Sequence, residues 1–279
     1  MKLSFCTHQS FVRCAKWQRP SLIVGAILWG WVSLFQGCSL DVPYENRYAD
    51  PNAIVDAQSA RELLATAYVN LPLEHFTFSV LSDDFRPTYK LRSNPSLQKL
   101  ASFDADELTT LGNDLWARCY STITVANTVQ ERVDSLPKSL ELQDIALESQ
   151  RIKAYAYFQL LRAFAPIPTS ASDSAGIIFK ERLQMTASPR LSVGESIDSI
   201  RHILERSTPL ASFSAPNSAN TSATSSQQHW FTPLAAAYLR AELELYAGDY
   251  AAAERWARLV ITQKGGTASL QREVYQQLW

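Results

Sequence analysis

The chain has 279 residues, 46% hydrophobic, 11% aromatic and 19% charged: enough apolar material for a sizeable buried core, and too much for a disordered chain. Only 9 residues are glycine, well under the usual share, which excludes collagen-like and glycine-rich β designs and favours helix. The formal net charge of -1 excludes a general nucleic-acid binder, which needs a basic face.

Lys2, Arg13, Lys16 and Arg19, with no acid among them, precede Leu22–Phe35, a run without charge. That run is shorter than the ~20 apolar residues of a spanning helix and reads as the core of a secretory signal. Gly37-Cys38 follows at once and resembles a bacterial lipobox, although Phe35 and Gln36 depart from its commonest form. The resemblance implies a leader over 1–37, cleavage before Cys38 and a diacylglycerol on the Cys38 thiol. Residues 38–58, with Pro43 and Pro51, read as an extended lipidated tether. Cys6 and Cys14 fall in the leader, so Cys119 has no internal disulfide partner and its helical setting marks it as a small buried hydrophobe.

From residue 59 the pattern is helical to the end of the chain. Ser59-Ala60-Arg61-Glu62 has capping-box spacing, with Ser59 as N-cap, and Leu63, Leu64, Ala67, Tyr68 and Leu71 line one side before Pro72. Residues 73–112, with Pro87 and Pro95, read as a long loop with short helical pieces. A second helix is expected from about Asn113-Asp114 to Pro137, carrying Leu115, Cys119, Ala126, Val129, Val133 and Leu136 on one stripe and Trp116, Tyr120 and Ile123 on the next. A third covers about Leu140–Phe164, apolar nearly all round in its later half and therefore surrounded by other helices.

Ser192-Val193-Gly194-Glu195 is a further capping box, followed by Val193, Ile197, Ile200 and Leu204 at helical spacing. Residues 207–228 hold seven Ser, three Thr and no charged side chain, and read as a flexible surface loop. The last two helices, about Phe231–Ala247 and Tyr250–Gln263, meet at Gly248-Asp249, a C-cap followed by an N-cap. Leu234, Ala235, Tyr238, Ala241, Leu245 and Tyr246 are expected on the inner face of the first, and Tyr250, Ala253, Ala257, Val260 and Ile261 on that of the second. The hairpin has close to the ~34-residue period of a tetratricopeptide repeat. The fold class is therefore all-α, built from tetratricopeptide-like hairpins with long loops.

Catalytic and metal-binding patterns are missing: there is no His-Glu-x-x-His, Cys-x-x-Cys, Gly-x-Ser-x-Gly or Gly-x-Gly-x-x-Gly. His75, His202 and His229 are far apart, and Lys264-Gly265-Gly266-Thr267 follows a helix instead of the strand a phosphate loop needs. Asp83-Asp84 lacks a partner acid for glycoside hydrolysis. No enzyme, cofactor or metal is expected.

The order of the motifs carries more than any one of them. The lipobox and the 59–71 helix come first, then Trp116 with Tyr120-Ser121-Thr122-Ile123 and Ala126-Asn127. Glu148, Ala154-Tyr155-Ala156-Tyr157-Phe158-Gln159-Leu160 and the exit Phe164-Ala165-Pro166-Ile167-Pro168 follow, ahead of Arg190–Glu195 and Gly248-Asp249-Tyr250. Together they resemble the N-terminal half of the SusD/RagB family of outer-membrane lipoproteins in Bacteroidota, with Ala165 where the family usually has glycine. The resemblance implies a SusD-like helical domain over 59–279, lipid-anchored at the outer membrane and facing the exterior. Its partners are a SusC-type TonB-dependent transporter and an oligosaccharide or peptide captured without chemistry. It also implies a further lobe after this sequence. The chain is expected to be either a divergent short member or cut short, and Leu270–Trp279, which reads as the opening of another helix, favours the second. A periplasmic tetratricopeptide-like adaptor binding a protein partner is the alternative.

For ligand contact the loop from Asp83 to Tyr89 is the candidate. Phe85 and Tyr89 offer faces for stacking, Asp83 and Arg86 hydrogen bonds. Trp116 and Trp256 are expected to pack between helices, and Asn127 to bridge backbone groups.

Overall fold

The computed structural model describes residues 54–72, 75–82, 93–168, 173–183, 186–208, 213 and 231–266. Along the chain these form α1 (Ala57–Asn70), α2 (His75–Leu81), α3 (Pro95–Ala101), α4 (Ala105–Ser135), α5 (Leu140–Phe164), β1 (Ala175–Ile178), β2 (Arg190–Ser192), α6 (Val193–Ser207), α7 (Pro233–Ala247) and α8 (Tyr250–Gln263). The fold is all-α apart from the short antiparallel β1–β2 pair, where Ala175 faces Ser192 and Ile178 faces Arg190 around an irregularity.

Helix starts follow capping chemistry, with two shifts from the sequence expectation. α1 begins three residues early because Asp56, not Ser59, is the N-cap. The Asp56 carboxylate accepts from the Ser59 amide at 2.8 Å while Ser59 Oγ accepts from the Asp56 amide at 3.1 Å. α4 begins at Ala105, well before Asn113. Asp104 caps it by accepting from the Glu107 amide at 3.2 Å, and Asp106 and Glu107 lie in the first turn, where the helix dipole favours acids. Elsewhere the expected caps hold. Ser192 and Glu195 make the reciprocal capping box on α6, and Ser139, which the sequence pattern did not single out, opens α5. Pro137 and Pro166 sit just beyond the helices they were expected to end.

α5 is the central element. It packs against α1, α4, α6, α7 and β1, and Ile152, Ala154, Ala156, Tyr157, Leu160 and Leu161 are wholly buried. One apolar cluster joins α5 to α4, α6 and α7 through Cys119, Ile123, Ile200, Ile203 and Leu239; another joins it to α1 through Leu64, Ala67, Val129 and Ile145. Trp116 packs between helices as expected, 4.8 Å from the Tyr120 ring and 5.1 Å from Phe164. Gly176 on β1 has no room for a side chain, since a Cβ there would lie 2.7 Å from the Ser192 carbonyl oxygen.

α7 and α8 form the expected hairpin. Gly248 is left-handed at φ 83°, and the Asp249 amide reaches back to the Glu244 carbonyl at 3.0 Å. The inner faces differ from expectation. Ala236, Ala237, Leu239 and Leu243 are buried, whereas Tyr238 and Leu245 are 55% and 59% exposed. On α8, Ala252 and Ala253 go inside, and Tyr250 and Ile261 face out. With apolar residues on every side of α7, spacing alone does not select a face.

Of the expected loop at 207–228, Ser207 is the last residue of α6 and Thr208 its cap, both buried. The Phe213 carbonyl accepts from Gln263 Nε2 at 3.0 Å. The other residues of that loop, the 1–37 leader and most of the 38–58 tether lie outside the described residues.

Candidate functional site

A frame of buried charges fixes the helices around α5. Glu148 accepts from the Arg61 guanidinium and the Tyr68 hydroxyl of α1, and Tyr68 Oη in turn accepts from the Phe231 amide at 2.6 Å. Burial, followed by the Glu148 charge, pushes the Tyr68 phenol far above its ordinary range. Arg151 donates from Nε and Nη2 to the Ser207 carbonyl at 3.0 and 2.8 Å, placing a cation on the carbonyl end of α6.

Asn127 bridges as expected, donating to the Lys180 carbonyl at 3.1 Å and accepting from Lys153 Nζ at 2.6 Å. Tyr157 Oη donates to the Lys180 carbonyl and accepts from the Lys180 amide, and its ring stacks on Phe179 at 4.6 Å. Between α6 and α7, Glu244 accepts from both Arg201 and Arg240, and the Arg240 guanidinium lies 5.7 Å over the Trp256 ring of α8. These buried ionic groups are all paired, so they read as scaffold.

Two clefts are prominent on this scaffold. One, about 550 Å³, lies between α2 and the α4–α5 pair, with Pro72 and Leu115 at its base. Its walls carry Phe78, 42% exposed, and Ser79 and Ser82 from α2 and its end, facing Tyr155, Gln159 and Arg162 from α5. The α5 residues fall at i, i+4 and i+7, one stripe about 10 Å long. Tyr155 is half-buried, 6.0 Å from the Phe231 ring, and burial raises its phenol while contact with Gln159 lowers it. An aromatic face, a second ring opposite, and hydroxyl, amide and guanidinium groups between them suit a ligand with both apolar faces and hydroxyls.

The other cleft, about 720 Å³, is lined by Gln130, Glu131, Asp134, Gln150, Arg182 and Arg206 among others, and has no aromatic wall. Gln150 donates to Gln130 at 2.9 Å, and Glu131 accepts from the Leu183 amide at 2.9 Å. Its polar groups largely serve the scaffold, which makes the α2–α5 cleft the candidate site.

The residues expected to touch ligand, Asp83, Phe85, Arg86 and Tyr89, lie outside the described residues, as does Cys38. Ser82, on the cleft wall, immediately precedes that loop in the chain. Sequence reasoning missed Phe78, Tyr155, Gln159 and Arg162. The available signal was that Gln159 and Arg162 are the polar residues on the otherwise apolar half of α5. His202 is exposed on α6, and among the described residues no three His, Cys, Asp or Glu side chains gather as metal ligands would.

Comparison with known proteins gives a consistent fold. The family model SusD-like_3, "Starch-binding associating with outer membrane", matches residues 58–228. A SusD superfamily protein from Bacteroides vulgatus superposes with a TM-score of 0.57 at 17% identity, covering 75% of this chain and 47% of that one. A SusD-like carbohydrate-binding protein from the same species gives 0.56 at 13% identity, with 75% and 45% covered. A laminarin-binding SusD-like protein gives 0.51 at 14% identity, with 74% and 44% covered. The chain thus spans less than half the length of these structures. No curated protein sequence matches it.

Proposed function

From the premise that this chain belongs to the SusD-like family, on a match over residues 58–228, we propose that it is a glycan-capturing lipoprotein of the outer membrane. It binds oligosaccharide in the cleft between α2 and α5 and releases it unchanged to a SusC-type TonB-dependent transporter. Cys38 carries the lipid, on the outer face of the cell, and the residues between it and Ile54, which is already packed in the core, tether the helical domain to it. The expected tether to residue 58 is shortened because Ala57 and Gln58 belong to α1. The reading is supported above all by the cleft itself. Phe78 and Tyr155 present rings to a cavity of about 550 Å³ that also holds Ser79, Ser82, Gln159 and Arg162. Asp83, Phe85, Arg86 and Tyr89, which follow Ser82 in the chain, are proposed as further ligand contacts.

The ligands named for similar proteins, carbohydrate and laminarin, favour glycan over peptide. Capture of this kind needs stacking and hydrogen bonds and no reacting group. Affinity electrophoresis of the full chain through gels containing laminarin, starch or pectin tests the proposal. At least one polysaccharide is expected to retard the protein, and Tyr155→Ala to lower that affinity about tenfold, the loss of one stacking face. Unretarded migration in every gel, or retardation indifferent to Tyr155→Ala and Phe78→Ala, would remove the cleft from consideration.

A further inference from the structure

We infer that the α2–α5 cleft selects acidic oligosaccharides, sugars bearing carboxylate or sulfate groups, and that Arg162 is the residue that selects them. The inference rests on the reading of this cleft as the glycan site and adds the chemical class of glycan. Arg162 is the one charged side chain among the described residues lining the cleft. The rest of the lining is neutral: rings from Phe78 and Tyr155, hydroxyls from Ser79 and Ser82, and the Gln159 amide.

Arg162 makes no ion pair with an acid among the described residues, as is also true of Arg132, Arg151, Arg182, Arg190, Arg206 and Arg255, but it is the one of them that lines this cleft. Arg61 pairs with Glu148, Arg118 with Asp114, Arg201 and Arg240 with Glu244, and Arg258 with Glu254. Arg162 is exposed, with its guanidinium 5.4 Å over the Phe158 ring. A planar guanidinium edge matches a carboxylate or sulfate with two parallel hydrogen bonds. Its position in the last turn of α5 offsets part of the charge, but a helix C-terminus supplies only about half a negative charge.

Its field reaches the neighbouring rings as well. Burial raises the Tyr155 and Tyr246 phenols and the Arg162 charge lowers both, while the Glu242 charge acts on Tyr155 in the opposite sense. The other cleft differs on this point, setting Glu131, Asp134 and Glu181 against Arg182 and Arg206, which leaves no uncompensated cation to favour an anion.

The test uses the full chain and matched pairs of tetrasaccharides, each neutral member (cellotetraose, mannotetraose, galactotetraose) set beside the form carboxylated at C6. Isothermal titration at 20 and 300 mM NaCl compares the wild type with Arg162→Gln, Arg162→Lys and Tyr155→Ala. The expected result is at least one pair in which the acidic member binds about tenfold more tightly at low salt, with the margin shrinking at high salt. Arg162→Gln removes that margin, weakening the acidic member more than the neutral one; Arg162→Lys keeps part of it; Tyr155→Ala weakens both members. Equal binding of neutral and acidic members, or an acidic preference that survives Arg162→Gln, overturns the inference and leaves the cleft a glycan site. Absence of binding in every pair, or binding that ignores Tyr155→Ala, overturns both.

Discussion

Lys153 is 3% exposed, with its ammonium between Asn127 Oδ1 and the Glu181 carbonyl. Burial pushes it down to about 8 from an ordinary 10.5. A group whose folded value is depressed supports the fold above its unfolded value and loses that support as pH falls through the folded one. Stability is therefore expected to rise from pH about 8 to about 10, by up to about 3 kcal/mol from this group. Tyr120, raised by burial to about 12, works in the opposite direction: its support is complete below about 10 and lost as pH climbs toward 12. Urea unfolding at a series of pH values checks this. The wild-type midpoint should climb and then fall, and Lys153→Met should flatten the climb while keeping the fall. A climb of equal size in both proteins would contradict the assignment. Asn127 and Cys119 were legible in the sequence because an amide amid apolar helix residues needs partners, and a lone thiol on an apolar stripe goes inside. Lys153 was not legible. Its acceptors are carbonyls of residues about 28 positions away, which only the fold brings near.

Where the chain punctuates itself, elements were readable. Ser192 with Glu195, and Gly248 with Asp249, sit where the sequence placed them, since each provides a partner or conformation that the helix end needs. Gly248 gives a clean test, because a Cβ there meets nothing within 4 Å and any penalty is purely conformational at φ 83°. Gly248→Ala should cost about 1 kcal/mol and Gly248→Asn less, read as shifts in thermal or urea midpoint. An alanine variant as stable as the wild type would mean that the turn is not held in this conformation. The start of α4 was hidden for the opposite reason. Thr109, Thr110, Gly112 and Asn113 are weak helix formers, and the helix through them is secured by the Asp104 cap and by Ser96 Oγ of α3 donating to Glu107 at 2.8 Å. The candidate cleft escaped for a related reason: α5 was readable as a core helix, but which of its residues faces α2 depends on where α2 packs.

At the scale of the whole molecule, no described helix is long and apolar enough to cross a membrane. Attachment on the present reading therefore depends on Cys38, whose acyl chains would give stable anchoring where one chain alone is marginal. Cys38→Ala is expected to move the protein from the membrane pellet to the soluble fraction after cell disruption; retention in the pellet would point to another anchor. The helical domain is tied together across long stretches of chain. The bond from the Phe231 amide to Tyr68 joins residues 163 positions apart, and Tyr68 in turn meets Glu148. A polypeptide emerging N-terminus first thus presents α1 long before the amide that completes its polar contacts. Closure of so distant a pair is slow, and until it occurs the apolar faces of Leu64 and Ala67 depend on α4 and α5 alone. Chains of this design spend their vulnerable interval waiting for residue 231, so yield turns on what shields α1 until that residue arrives.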